Sequence, residues 1–417
     1  CKIRKIHTGL PGMIVDVLTN VCLDDLFDII LSDRQDEWDE IARDNKFTDL
    51  LKECVSQTLA LGDGAFKFSF DESISKYPII EFYEADRVDF EYDRGRLIEV
   101  VFKTKKVLNK NCYTFKEHYR KDGITYSLEN SSGNEVNMAD FPELAEYKPV
   151  LNKAEFLPAV PVIFTPSAKF KGRGQSIFSR KYDNFDSLDE VYSQWMLAVR
   201  KGQIKEYIPR DFLPSNPYTG EILQSNDFDN EYIVLEADGG EGAVNKVETT
   251  QGTIQHEALL ASYITALDLC LQGIISPSTL GIDVKKLDNA DAQREKEKTT
   301  LYTRNKVLFV LDGIIKDVII TALKFSDTLQ NKSTDDSIDI TVARGGYANP
   351  SFEAQVETVS KAAAAGIMST EACVGELYGN DKDEEWKEEE VRRIKEEKGI
   401  IEADEPSVGD EIFAGVE

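Results

Sequence analysis

Two stretches of helical periodicity flank a stretch that cannot be helical, and this pairing constrains the fold more than any other feature of the chain. Residues 176–204 place Phe178, Tyr182, Phe185, Leu188, Tyr192, Trp195, Met196 and Val199 on one face, with Asp183, Asp186, Asp189 and Glu190 largely elsewhere. Arg200, Lys201 and Lys205 fall at its C-terminal end, where cations complement the helix dipole. A second helix is expected over 252–271, using Ile254, Leu259, Leu260, Tyr263, Ile264 and Leu267. Between them, 206–251 holds Pro209, Pro214, Pro217, Gly220 and the cluster Gly239, Gly240 and Gly242, with a strand expected over 232–235. A small irregular or β module is therefore inserted between two helices.

The chain before this unit mixes helix and sheet signals. Apolar residues over 23–31 recur at near-helical spacing. Trp38, Ile41, Phe47, Leu50, Leu51, Val55 and Leu59 form the stripe of a helix expected over 36–61, which Gly62-Asp63-Gly64 ends. Phe66, Phe68 and Phe70 then alternate with polar residues. Val88, Phe90 and Tyr92 do the same, Asp93-Arg94-Gly95 is a turn, and Ile98, Val100 and Phe102 alternate on the way back, so a hairpin is expected there. Further strands are expected over 113–119 and 124–129, and the prolines of 149–164 give an extended connection.

After the second helix, Ile274 to Ser278 breaks the pattern and a short loop over 280–287 carries Lys285 and Lys286. A long helix over 289–326 begins polar, with Arg294, Glu295, Lys296, Glu297 and Lys298. It continues apolar, with Val307, Leu308, Leu311, Ile314, Ile315, Val318 and Ile319, as expected of a helix passing from exposed to buried surroundings. A linker over 332–336, a strand over 338–342 and helices over 350–365, 370–378 and 381–398 follow, with an acidic tail over 402–417. Ser369 fits an N-cap and Gly366 a C-cap.

At 417 residues the chain is long enough for two or three structural units, and its 41% hydrophobic content supports packed cores. No apolar run is long enough to span a bilayer, and the start does not read as a signal peptide, so a soluble, non-secreted protein without a membrane partner is expected. The first residue is Cys1 rather than Met, as expected of a trimmed form of a longer product. The six cysteines form no C-x-x-C pair and no histidine stands at metal-ligand spacing from them, which favours buried thiols over a disulfide frame or a metal site.

Catalytic signatures do not emerge. There is no G-x-x-x-x-G-K-[ST] phosphate loop, and Gly172-Arg173-Gly174 lacks the third glycine of a dinucleotide fingerprint. His7, His118 and His256 would each need distant residues to complete a triad or zinc site, so surface or partly buried histidines are expected. With 76 Asp and Glu residues, no carboxylate pair is informative, and the acidic run over 381–390 reads as a solvated helix face with an apolar seam at Trp386. No enzyme, no cofactor and no metal is expected.

The order of these elements resembles the portal proteins of long-tailed bacteriophages of Gram-positive bacteria, over about 23–399 of the chain. The strings that carry the likeness are the break Gly62-Asp63-Gly64 with the strand over 65–70, the hairpin from Arg87 through Gly95, the two helices around the proline- and glycine-rich module, and Gly366-Ile367-Met368-Ser369-Thr370-Glu371. The resemblance implies an α+β, mainly helical portal fold. Its parts are an α/β wing (1–175), a stem of two helices (176–204 and 252–273) that leave and return around a small α/β clip (205–251), a tunnel loop (274–288), a long wing helix (289–331) and a helical crown with the acidic tail (332–417). It also implies a dodecameric ring at one capsid vertex of the virion, assembled in the host cytoplasm. The ring would nucleate capsid assembly with major capsid and scaffolding proteins, dock the terminase motor, pass double-stranded DNA without sequence specificity, and bind the head–tail adaptor.

The formal net charge of −27 argues against a protein that grips nucleic acid, because phosphate binding needs clustered cations. It suits a channel that must not stall its DNA, since an acidic wall repels phosphates within roughly 10 Å at ordinary salt. In a ring, Lys285 and Lys286 would form a positive belt that touches phosphates transiently; the competing reading makes them surface lysines on a loop. Arg200, Lys201 and Lys205 would form a second belt, or only complement a helix end. Arg294, Glu295, Lys296, Glu297 and Lys298 would pair between neighbouring subunits, or within their own helix. Two rival readings stand beside the portal: another scaffold or adaptor protein of a phage particle, and an unidentified soluble enzyme.

Overall fold

The computed structural model describes residues 5–151, 156–202, 205–209, 212, 216–220, 232–235, 246–282, 290–330, 332, 338–344, 352–378 and 384–397. Two compact units divide the chain, Cys1–Arg344 and Gly345–Glu417.

The first unit opens with a helix, α1 (Leu10–Leu23), that sequence reasoning did not find. Pro11 hid it, yet Pro11 sits in the first turn, where a missing N–H costs nothing. The expectation of helix over 23–31 is corrected: β1 (Leu26–Leu31) is a strand. The helix expected over 36–61 is two helices, α2 (Gln35–Asp44) and α3 (Phe47–Leu61), parted where Lys46 adopts a left-handed φ of 49°. Asn45 secures the break: its side chain donates to the carbonyls of Ile41 and Pro78 and accepts the N–H of Ile80.

Strands β2 (Asp63–Ser69) and β3 (Ile79–Glu84) follow, the second of them unread in the sequence. The expected hairpin is β4 (Val88–Asp93) and β5 (Arg96–Leu108), joined through Arg94 and Gly95. Both turn residues have positive φ, 48° and 81°, the backbone a two-residue hairpin loop demands and glycine adopts freely. β6 (Asn111–Arg120), β7 (Gly123–Asn130) and β8 (Glu135–Val136) extend this antiparallel sheet, and β9 (Val150–Leu151) also pairs with β7. β10 (Ala159–Ile163) pairs with β2, giving a second sheet in the order β10-β2-β3.

Next come α4 (Tyr182–Lys201), the short strands β11 (Lys205–Pro209), β12 (Tyr232–Leu235) and β13 (Glu248–Thr250), and α5 (His256–Leu271). β11 pairs parallel with β12 and antiparallel with β13. A single 3-10 turn, Pro277–Leu280, precedes the long α6 (Ala290–Leu329). Finally β14 (Ile340–Arg344) pairs antiparallel with β1, 309 residues away at the Leu31–Ile340 pair. This strand stands with the first unit, not with the helices after it.

One core ties these elements together. Ile14 and Leu18 of α1, Leu51 and Val55 of α3, Phe66 and Phe68 of β2, and Leu311, Ile315, Val318 and Ile319 of α6 are fully buried in one cluster. The α6 residues recur three and four apart, the stripe expected from the sequence. Each such side chain contributes roughly 1.5–3 kcal/mol on burial. The second unit holds α7 (Phe352–Ala364), α8 (Thr370–Tyr378) and α9 (Glu384–Glu397). There Trp386 packs edge-on against Tyr378 at 5.1 Å, and Lys395 reaches Glu371 at 2.8 Å, holding that carboxyl down to about 2.

Candidate functional site

The helices α4 and α5 run antiparallel. At one end, Lys181 Nζ and Asn184 Nδ2 both donate to the carbonyl of Leu269, at 2.6 and 3.0 Å, so the start of α4 serves an orphan acceptor in the last turn of α5. Midway, Tyr263 of α5 packs against Tyr192 and Trp195 of α4, with ring centroids 6.1 and 5.9 Å apart. At the other end, Gly202 approaches Ile254 so closely that a Cβ on Gly202 would stand 2.4 Å from Ile254 Cγ1. The three-stranded module β11–β13 is spliced in at that end.

Segment 5–8 lies along α4. The Ile6 N–H donates to Ser193 Oγ at 2.8 Å. The buried carboxylate of Asp189 accepts the N–H and the hydroxyl of Thr8, both at 2.9 Å, and meets His7 Nδ1 at 2.7 Å. Burial pushes the Asp189 carboxyl up, but the Thr8 N–H, His7 and the Thr8 hydroxyl outweigh it and hold it below the usual range.

The sides of α5 contrast sharply. Ala266, Leu267, Cys270 and Leu271 are buried, and burial raises the Cys270 thiol to about 11. On the other side Ala258, Leu260, Ala261 and Leu269 face solvent. Those apolar residues share the exposed side with Glu257, Ser262, Thr265 and Asp268, so it is mixed, with Leu260 and Leu269 left open in it.

Of the basic residues singled out in the sequence, Arg200 and Lys201 are exposed in the last turn of α4. Lys205 opens β11, but its side chain lies outside the described residues, as do Lys285 and Lys286. Arg294, Glu295, Lys296 and Glu297 stand in the first turns of α6, with only Lys298 of that group described at its side chain, and exposed. The structure therefore brings Arg200 and Lys201 to the end of α4 where the β11–β13 module begins.

Two constellations were not read from the sequence. His118, expected to be an ordinary partly buried histidine, is partly buried on the β5–β6–β7 sheet. Its Nδ1 meets the buried carboxylate of Glu99, its Nε2 meets Ser127 Oγ at 2.8 Å, and Arg120 also bonds Glu99. Three adjacent strands place these residues on one face, and His118 and Arg120 compensate the buried charge of Glu99. The second is a cavity of about 450 Å³ beside the start of α4, whose lining includes Arg180, Lys181 and Lys306. Neither had a sequence signal, because each is assembled from elements that pair only in the fold. Among the described residues no group of three or more His, Cys, Asp or Glu side chains could hold a metal ion, and no helix is long and apolar enough to cross a membrane.

No family model and no curated protein matches the chain. Solved structures similar to it include a chain in the virion of a native gene transfer agent particle, 10% identical with a TM-score of 0.43, covering 88% of each chain. Another is in the neck of the native particle with C12 symmetry, 11% identical with a TM-score of 0.45, covering 90% of this chain and 91% of that one. A third is in the neck of the empty particle with C6 symmetry, 12% identical with a TM-score of 0.44, covering 88% and 89%.

Proposed function

We propose that this chain is one subunit of the portal ring of a tailed bacteriophage, the channel at a capsid vertex through which double-stranded DNA is packaged and ejected. The observation that carries this reading is the antiparallel pair of α4 and α5, with a small β module spliced into its far end and with Leu260 and Leu269 of α5 left exposed among polar residues. Large apolar side chains left open in this way are better placed where a neighbour covers them. In a closed ring each copy presents one flank to the opposite flank of the next, so a heterologous contact covers the bare side of every α5 without leaving an unpaired end.

The same reading gives the other elements work. The β11–β13 module is the clip that meets the head–tail adaptor and terminase, the segment between α5 and α6 is the tunnel loop, and α6 is the wing helix behind it. The sheets are the wing, and α7–α9 are the crown. Capsid and scaffolding proteins surround the ring during assembly. The net charge of −27 lets DNA slide rather than bind. The subunit itself carries out no chemical step, and the motor is another protein.

Negative-stain images of the purified chain test this. Symmetric rings with a central hole are expected. A population of monomers or dimers at every protein concentration would overturn the reading.

A further inference from the structure

The cavity beside the start of α4 is walled by the end of α3, the segment leading into α4, the link after α5, and α6. In a chain with 76 acidic and 49 basic residues, every charged side chain in its lining is a cation: Arg180, Lys181 and Lys306. Gln175, Gln272 and Thr303 supply further polar atoms. Arg180 and Lys306 are exposed and have no acidic partner among the described residues, while Lys181 spends one donor on Leu269.

Exposed apolar side chains flank these cations in the chain. Tyr302 and Phe309, four residues before and three after Lys306 on α6, are 72% and 85% exposed. Tyr182 adjoins Lys181, and Leu269, which accepts the Lys181 bond, belongs to the bare side of α5. Large aromatic side chains left this open mark a contact surface. They fit a polypeptide better than a duplex, whose phosphates call for cations without exposed phenylalanine around them.

We infer that this cavity takes carboxylate side chains of a neighbouring copy of the same chain, with the exposed Tyr182, Tyr302 and Phe309 packed against that copy's apolar surface. The inference rests on the ring reading and adds to it a named contact. Two observations select a second copy as the occupant. Lys181 of the cavity bonds the carbonyl of Leu269, whose side chain is on the exposed side of α5 that the ring would cover, so a partner on that side also comes to the cavity. And a chain of charge −27 brings an excess of carboxylates to any contact with itself, complementary to a pocket whose charged lining residues are all cations.

The test compares the full chain with Arg180→Glu/Lys306→Glu, both side chains being exposed, and with Lys316→Glu, an exposed control about 15 Å further along α6. Lys181 is left in place because it holds Leu269. Thermal melting of the variants checks that they fold. Sedimentation velocity and negative-stain imaging then follow assembly over a concentration series. The double variant is expected to need at least about tenfold more protein to assemble, with Lys316→Glu like the parent. Rings from the double variant at parental concentration would overturn the cavity contact and leave the ring reading standing. Equal loss in Lys316→Glu would also overturn it, as a general charge effect. A parent chain that forms only monomers would remove both readings together.

Discussion

The buried carboxylate of Asp189 accepts the backbone N–H of Thr8 at 2.9 Å, across 181 residues of sequence, and so fastens the beginning of the described chain to the middle of α4. His7, the Thr8 hydroxyl and Ser193 complete the latch. Asp189→Ala should leave these donors without an acceptor and cost about 1–3 kcal/mol in urea unfolding. Limited proteolysis should then cut before α1 much faster than in the parent. The folded carboxyl titrates below the unfolded value of about 3.9, so the latch contributes its stability above that pH and loses it as pH falls through the folded value. The proteolytic rate should therefore rise on acidification below pH about 4 in the parent, and be flat there in the variant.

Arg304 of α6 donates to the carbonyl of Val21 at 3.0 Å and pairs with Asp25, beside Arg344, which holds Asp312 at 2.7 Å. This buried network joins α1, α6 and β14. Arg304→Leu should destabilise by about 3–5 kcal/mol, because it strips a partner from a buried carboxylate. Arg304→Leu with Asp25→Leu should lose less than that single change, since no bare charge remains. Denaturant midpoints of the two singles and the double form the cycle that reads this.

Gly202 and Ile254 set how closely the end of α4 passes the entry to α5. A methyl group at 202 would collide with the Ile254 side chain, so Gly202→Ala should cost about 1–3 kcal/mol, and adding Ile254→Ala should return much of the loss. Thermal melts of the three variants measure it. A Gly202→Ala chain as stable as the parent would mean that the helix ends are free to spread.

How far the fold was legible depended on where each element finds its partner. The β4–β5 hairpin was readable because its strands alternate and its turn, Arg94-Gly95, lies between them. The α6 core stripe was readable because it repeats over nearly five turns, from Val307 to Leu323. The run Leu26-Phe27-Asp28-Ile29-Ile30-Leu31 fits either period, and only β14, at the other end of the unit, makes it a strand. The break between α2 and α3 escaped notice because Lys46 takes a backbone that the sequence signals only when glycine is present, and because Asn45 is satisfied by β3, itself unread. For the site, the cations ending α4 were visible as a helix terminus. Arg180, Lys181 and Lys306 were not, since two segments far apart in the chain, the approach to α4 and the middle of α6, bring them to one cavity.

The two lysines Lys285 and Lys286, in the segment between α5 and α6, give the portal reading its sharpest electrostatic consequence. The chain is strongly acidic, so a ring of it should bind duplex DNA weakly, and the pair repeated around the ring would supply a local belt of positive charge. Each phosphate contact contributes a slope of about −0.9 to the dependence of log affinity on log salt. Lys285→Glu with Lys286→Glu should therefore flatten the salt dependence of residual DNA binding while leaving ring assembly, seen in negative stain, unchanged. In an assembled particle the same variant should package less DNA or lose it faster. If packaging and retention are both normal, the lysines are surface residues of a loop, and the channel works by repulsion alone.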